Sequence, residues 1–489
     1  MIRIILGSSV LFLAVHAAVL SAPLRSGQTT VANSPQLASE KLALAQPGDV
    51  VVLKDGVYED VHFVIRGEGT PEKPIAFRAQ SPGKVRLTGD VHVDIIGKHV
   101  IVEGILFDQA WGDNIVAFSE ATQCQLTACA FVGCGHPERA YRHIITLAHN
   151  SQSNRIHHCY MEGNLSIGMA VRIRAGDYQN THNRFDHNYF KDIERGSRNG
   201  REAIQIGQGG FSDRTSQHAL VEHNLFDNAS GDAEIISNKS CDNTYRYNTF
   251  RNCNAMLVLR GGNRARVEGN FFFNTLGGIR VHNSDHVIVN NYIEGCSKSG
   301  IYMPTGSSGY GPVNYCVVAH NTIVNCGRGL LIGQRNVHAT TWDLQIAWND
   351  FLNNLIIADR GVAIQDDGSH VSTWRNNIVW TTGDADPGLD AEGISRVDPG
   401  LVKNRGIFRL GSDDSPAVNV PSANFRDVNA AIPGAETDID GQPRDERPDV
   451  GCDEWATESP VRGPMLPNEV GPDWMHGDPP EVSQSGLRR

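Results

Sequence analysis

A short phrase recurs through the middle of this 489-residue chain. It reads HNYF ending at Phe190, HNLF at Phe226, YNTF at Phe250, GNFF at Phe272, NNYI at Ile293, HNTI at Ile323, WNDF at Phe351 and RNNIV at Val379. Its asparagines (Asn188, Asn224, Asn248, Asn270, Asn291, Asn321, Asn349 and Asn377) are separated by 36, 24, 22, 21, 30, 28 and 28 residues. Fainter copies put Cys159, Cys129 and Ile105 in the same slot. A unit of this length, with short alternating apolar segments and no helical period, predicts one coil of a parallel β-helix, an all-β solenoid. No coil can bury its own apolar face, so each must stack on the next. An Asn at a fixed slot suits that stacking, because its amide can bond to the neighbouring amide and to turn backbone.

The same register accounts for the cysteines. Cys134, Cys253, Cys296 and Cys326 each lie five residues past the slot, as an inward stack of small apolar side chains would. Buried thiols are therefore expected, with an occasional disulfide as the rival. His187, His223 and His320 precede the slot and read as turn residues, while adjacent His157 and His158 are expected on opposite faces of a strand, a poor metal pair.

A solenoid needs its ends closed. Pro35 to Ala45 has helical spacing with Ser34 as N-cap, which predicts an N-terminal helical plug. Ahead of it, Arg3 and the apolar run from Ile4 to Leu20 lead to small residues at the exit, the layout of a signal peptide over 1–22. A secreted or periplasmic protein with no membrane-spanning segment is expected. The β-helix should then run over 23–397, an irregular C-terminal closing segment over 398–456, and a Pro- and Gly-rich tail without structure over 457–489. With 43 Lys+Arg against 55 Asp+Glu, the net charge of −12 argues against nucleic acid as a partner.

One region departs from the repeat. The coil GDAEIISNKSCDNTYRYNTF carries Asp232, Glu234 and Lys239, and the next carries Arg260, 21 residues past the lysine. Arg280 follows after a further 20 residues. Coils lie about 4.8 Å apart, so three cations in a line along one groove are expected in an otherwise acidic chain. Asp232 and Glu234 are two apart on a strand and project from one side, as a pair of hard oxygen ligands for Ca²⁺ would. The preceding coil, NGREAIQIG, offers Asn199 or Glu202 as a further ligand.

The stretches EIISNKSCDNTYRYNTF, LRGGN, GNFFFN and GGIRV resemble polysaccharide lyase family 6, which includes alginate lyases and chondroitinase B. The resemblance spans several coils and implies a right-handed parallel β-helix. It also implies a catalytic base at Lys239, a catalytic partner at Arg260, and Ca²⁺ held by Asp232, Glu234 and an Asn from an earlier coil, here Asn199. Two positions depart from the family pattern: Gly261 follows the Arg where His is common, and Asp232 stands where Glu is also found. Arg280 and His282 are the expected substrate contacts.

The chemistry expected is β-elimination on an acidic polysaccharide. A neutral Lys239 takes the C5 proton of a uronate, and the C4 glycosidic oxygen leaves. Alginate is the first substrate, with chondroitin or dermatan sulfate, a glycosaminoglycan, as the runner-up. Two rival classes are a β-helical glycoside hydrolase, which needs two carboxylates flanking the bond, and a non-catalytic glycan-binding β-helix, which has no use for Lys239 beside Arg260.

Overall fold

The computed structural model describes residues 27–476 except 137–139, 166, 177–178, 211–214, 306–309, 336–345, 421–431 and 457–458. The leader expected over 1–22 and the end of the tail, 477–489, lie outside the described residues. The chain winds as a right-handed parallel β-helix whose three sheets contain 14, 13 and 14 strands. Within these sheets each inner strand pairs in parallel with its counterparts one coil earlier and one coil later. The N-terminal end is closed by the helix Pro35–Ala43, and Ser34 Oγ accepts from Leu37 N at 3.2 Å. Ala38 and Leu42 of that helix are buried against the first coils. No described helix is long and apolar enough to cross a membrane.

The interior is a set of side-chain stacks. Phe190, Phe226, Phe250 and Phe272 lie face to face at 4.8, 4.7 and 4.6 Å. All ten cysteines are buried thiols outside any disulfide. Burial raises the Cys129, Cys134 and Cys253 thiols to about 12, which keeps them protonated and unreactive.

The asparagine slot forms a ladder. Asn188, Asn224, Asn248, Asn270 and Asn291 each donate through Nδ2 to the Oδ1 of the next coil's Asn at 2.9–3.0 Å. The ladder continues from Asn321 to Asn354 and then Asn377, at 3.0 and 2.9 Å. This corrects the expected register, because Asn349 is not a member. Its strand, Asp350–Leu352, pairs with Val317–Ala319 of a different sheet, and Asn349 Oδ1 accepts from Cys316 N on the opposite turn. That turn carries a second ladder through Asn154 and Asn183.

Two further expectations are revised. His158 takes a left-handed backbone, φ 51°, so strand alternation stops at His157 and the two rings meet, Nδ1 to Nδ1 at 2.9 Å. His187, His223 and His320 are left-handed turn residues, as expected. In the tail, residues 459–476 are held on the outside of the helix where absence of structure was expected. Met465 N donates to Thr249 Oγ1 at 2.7 Å, and Trp474 Nε1 donates to Ala128 O at 2.9 Å. Met465 and Val470 cover Leu106, Ala130, Tyr160, Tyr189 and Leu225, an outward apolar strip that the coils leave uncovered. The closing segment centres on buried Arg409, which bonds Asp440 and Asp453.

Candidate active site

The site lies on the outer face of the 13-stranded sheet, where four successive strands supply its side chains: Ile204–Gly207, Glu234–Lys239, Met256–Gly261 and Gly277–Val281. Their inward positions are Ile204, Ile206, Ile236, Leu257, Leu259, Ile279 and Val281, all buried in the core. Strand alternation therefore turns Gln205, Ser237, Lys239, Val258, Arg260 and Arg280 outward.

The register is not uniform. Gly207 pairs with Lys239, and Lys239 pairs with Gly261, across a shift between Asn238 and Lys239. Arg260 is thus the extra residue of a bulge, turned out beside Lys239. Asn238 fixes that bulge from inside. Its Nδ2 donates to Gly261 O at 2.7 Å, and its Oδ1 accepts from Asn243 Nδ2 and Tyr245 Oη, each at 2.8 Å. Gly207, at φ 84°, is needed for the close approach: a Cβ there would lie 2.3 Å from Lys239 O.

The Lys239 side chain is largely buried, 13% exposed. Its Nζ donates to Gln205 Oε1 at 2.6 Å and lies 3.8 Å from Glu202 Oε1. Burial pushes its pKa down, Glu202 opposes, and the Arg260 guanidinium adds to the downward push. Glu202 itself is buried, and burial raises it to about 7 although Lys239 pulls the other way. Its Oε2 has no partner among the described residues.

The expected line of three cations is bent. Arg280 pairs in register with Val258, so the counterpart of Arg260 one coil on is His282. Arg280 turns back to Glu234, with Nη2 to Oε1 at 2.9 Å, and Arg260 Nη1 reaches the same oxygen at 3.4 Å. Ser237 Oγ takes the other oxygen, Oε2. Asp232 is satisfied by backbone: Oδ2 accepts from Gly200 N at 2.6 Å and Oδ1 from Ala233 N at 2.5 Å. Asn199, beside Gly200, is exposed, and its side chain makes no hydrogen bond to the described residues. His282, expected as a substrate contact, is buried at 1% exposed. Burial and the adjacent Arg280 and Arg260 lower it to about 3, leaving a neutral ring whose Nε2 has no partner among the described residues.

Three functional candidates escaped the sequence reading. Tyr310 lies in the insert between Pro304 and Asn314, outside the repeat. Its hydroxyl accepts from Arg260 Nε at 2.9 Å and its ring lies 4.4 Å from that of His282. Arg172 and Arg174 lie two coils before Lys239, since Arg172 pairs with Gln205 and Gln205 with Ser237. Neither has a carboxylate partner among the described residues. Arg172 instead contacts His143 Nε2 at 2.6 Å, and His143 is driven to about 3 by burial and by Arg172, Arg142 and Arg174. The signal available in the sequence was the outward pair in VRIR, one coil ahead of NGREAIQIG.

A parallel β-helix whose outer face sets a partly buried lysine beside an arginine, with further cations along the groove, is the architecture of a polysaccharide lyase. The family profile of chondroitinase B matches residues 31–368, and the chain belongs to this family of polysaccharide lyases. Among solved structures, the polysaccharide lyase family 6 alginate lyase AlyGC is 26% identical with a TM-score of 0.75, covering 91% of this chain and 58% of that one. The chain thus spans a little over half the length of that relative. A mannuronic-acid-specific family 6 lyase from human gut microbiota is 25% identical, TM-score 0.67, covering 76% of this chain and 91% of that one. A family 6 alginate lyase solved with a trisaccharide, at 20% identity and a TM-score of 0.66, shares the fold, covering 80% of this chain and 92% of that one. No curated protein matches.

Proposed function

We propose that the protein is an exported lyase that cleaves a uronate-containing polysaccharide, alginate in the first place, by β-elimination at Lys239. The observation that carries this reading is the placement of Lys239, largely buried on the outer face with Arg260 turned out beside it. A base must be neutral to accept the C5 proton, and burial together with Arg260 favours the neutral amine. Gln205 accepts from Nζ, which directs the amine along the outer face. Arg260 and Arg280 supply positive charge for the carboxylate at C6 and for the departing oxygen. Arg172 and Arg174 carry positive charge two coils further along, where the carboxylates of neighbouring sugars would lie.

Ca²⁺ belongs to the same proposal. Glu202, Asp232 and Glu234 are buried hard-oxygen donors on one edge of the sheet, and the orphaned Glu202 Oε2 is an atom that a cation would satisfy. Glu202 and Glu234 would hold the ion, with Asp232 and Asn199 beside them. A cation on Glu234 competes with Arg260 and Arg280 for Oε1. When bound, the ion supplies Lewis-acid neutralisation of a substrate carboxylate. Hydrolysis fits less well, because these carboxylates share one edge where an inverting or retaining pair must flank the bond.

The test is to incubate the protein with alginate, polymannuronate, polyguluronate and dermatan sulfate while following ultraviolet absorbance. Elimination creates an absorbing unsaturated uronate and hydrolysis does not. New reducing ends without absorbance would refute the lyase reading, and activity on dermatan sulfate alone would replace alginate. Full activity after exhaustive chelation would remove Ca²⁺. Export is checked by sequencing the N-terminus of the protein recovered outside the cytoplasm.

A further inference from the structure

The 13-stranded sheet that carries Lys239 continues for several coils towards the N-terminal plug. Along it Asn114 pairs with His143, Ile145 with Val171, Val171 with Ile204 and Ile204 with Ile236. Asn114 and His143 therefore stand in one row with Glu202 and Glu234. Four coils separate Asn114 from Glu234, about 19 Å at about 4.8 Å per coil. A cavity of about 380 Å³ opens at the start of this row, on the sheet edge that also carries Asp232.

Its walls are fixed by the coils. His62 and His92 pair in register at outward positions of their strands. Asp90 pairs with Trp111 at the corner that leads into the sheet, and Trp111 O accepts from Val91 N at 2.8 Å. Gly112 allows that corner to close, because a Cβ there would lie 2.6 Å from Val91 O. The Trp111 ring is half-buried, with the His136 ring across it at 5.1 Å and 81°. Arg142 Nε donates to Asp113 Oδ1 at 2.8 Å, and Asp113 is 75% exposed. His92 Nδ1 lies 2.7 Å from Asn114 O and its Nε2 lies 3.2 Å from Asp94 Oδ2. A carbonyl and a carboxylate only accept, so both ring nitrogens carry hydrogen and His92 is a cation.

We propose that this cavity is a distal sugar subsite, in which a pyranose of the uronate polymer lies against Trp111 with its carboxylate toward Arg142 and His92, an inference that rests on the lyase reading above. An indole offers a flat apolar surface to the C–H face of a pyranose, and Asp90 and Asp113 accept from its hydroxyls. The volume falls in the range of small-ligand pockets. Position agrees as well. One coil step is close to the length of one sugar, and Arg172 and Arg174 stand on a coil between this cavity and Lys239. Among the described residues, no three histidine or carboxylate ligand atoms of this cavity converge within 4.8 Å, so a metal ion is the poorer occupant.

The subsite makes the effect of Trp111 depend on chain length. A chain cut at Lys239 needs about five sugars on that side to reach the cavity, so a tetrasaccharide is too short. In Trp111→Ala, KM on a long uronate polymer that the wild type cleaves should rise about tenfold, the order of one aromatic contact, with kcat held. On the tetrasaccharide kcat/KM should stay at the wild-type value, which also shows that the variant folds. Trp111→Phe should recover part of the loss on polymer. Unchanged KM on polymer, or an equal loss on both substrates, would overturn the subsite and leave the lyase reading intact. Electrophoresis through gels containing alginate reads binding apart from turnover. There Lys239→Ala should be retarded and the double variant Lys239→Ala/Trp111→Ala retarded less, whereas equal retardation would overturn the subsite. A wild type without elimination on any uronate polymer would overturn the lyase reading, and the subsite with it.

Discussion

The turn that carries Asn188 to Asn377 and the outer strip that carries Gln205 to His282 are built on the same coils. In the turn, one side chain repeats and every bond is closed: Asn270 accepts from Asn248 N and Nδ2 and donates to Tyr245 O, Glu268 O and Asn291 Oδ1. In the strip, each coil contributes a different group, and polar atoms such as Glu202 Oε2, His282 Nε2 and Arg280 Nε have no partner among the described residues. Stacking identical amides stabilises the solenoid. Stacking glutamine, lysine, arginine and histidine leaves unspent polar capacity for a ligand, which is where a functional site differs from a scaffold.

Four measurements bear on that contrast. Lys239→Ala should lower turnover on uronate polymer by about 10²–10⁴-fold, the range for a general base, with melting unchanged. Near wild-type rates would take Lys239 out of the mechanism. Asn270→Ala should do the reverse: it strands five buried bonding groups, so stability should fall on the order of 3 kcal/mol in denaturant titration while the folded fraction keeps its rate. A small loss there would mean that neighbouring rungs carry the ladder without it.

Arg280→Ala removes a charge-assisted bond to Glu234, and kcat/KM should drop several-fold to a hundredfold, since such bonds contribute about 1.5–3 kcal/mol. Arg280→Lys should recover part of that, because a lysine makes a single point contact. Unchanged kinetics in Arg280→Ala would reduce the residue to a Glu234 counter-ion. The smallest effect concerns pH. Lys239 acts as a base only without its proton, so turnover should rise with pH through its titration. Burial and Arg260 both push that pKa down. Arg260→Gln removes one of the two, so the acid limb of the kcat profile should move to higher pH; a limb that stays in place would assign it to another group.

Much of this molecule was legible from residue order because a solenoid writes its period into the chain. The Asn slot, the Phe and Cys stacks, the helical plug and the neighbourhood of Lys239, Arg260 and Glu234 all follow from spacing close to one coil. The misreading at Asn349 shows where spacing stops being enough. Both WND and NNL satisfy the phrase, two turns carry asparagine ladders, and only the pairing of Leu355–Ala358 with Thr322–Val324 selects Asn354. The tail was misjudged for a related reason: its Pro and Gly content says nothing of the outward apolar strip from Leu106 to Leu225 that Met465 and Val470 cover.

The sequence alone determined the repeat, and with it the stacking of coils and the set of groups on one face, since period and alternation are local properties of a strand. Tertiary structure decided how those groups meet. The bulge held by Asn238 turns Arg260 out beside Lys239, and the two-residue offset sends Arg280 to Glu234 and buries His282. The insert carries Tyr310 onto Arg260 from a segment with no repeat to read. Each of these depends on contacts between coils 20 or more residues apart, where a shift of one position changes which side chains touch.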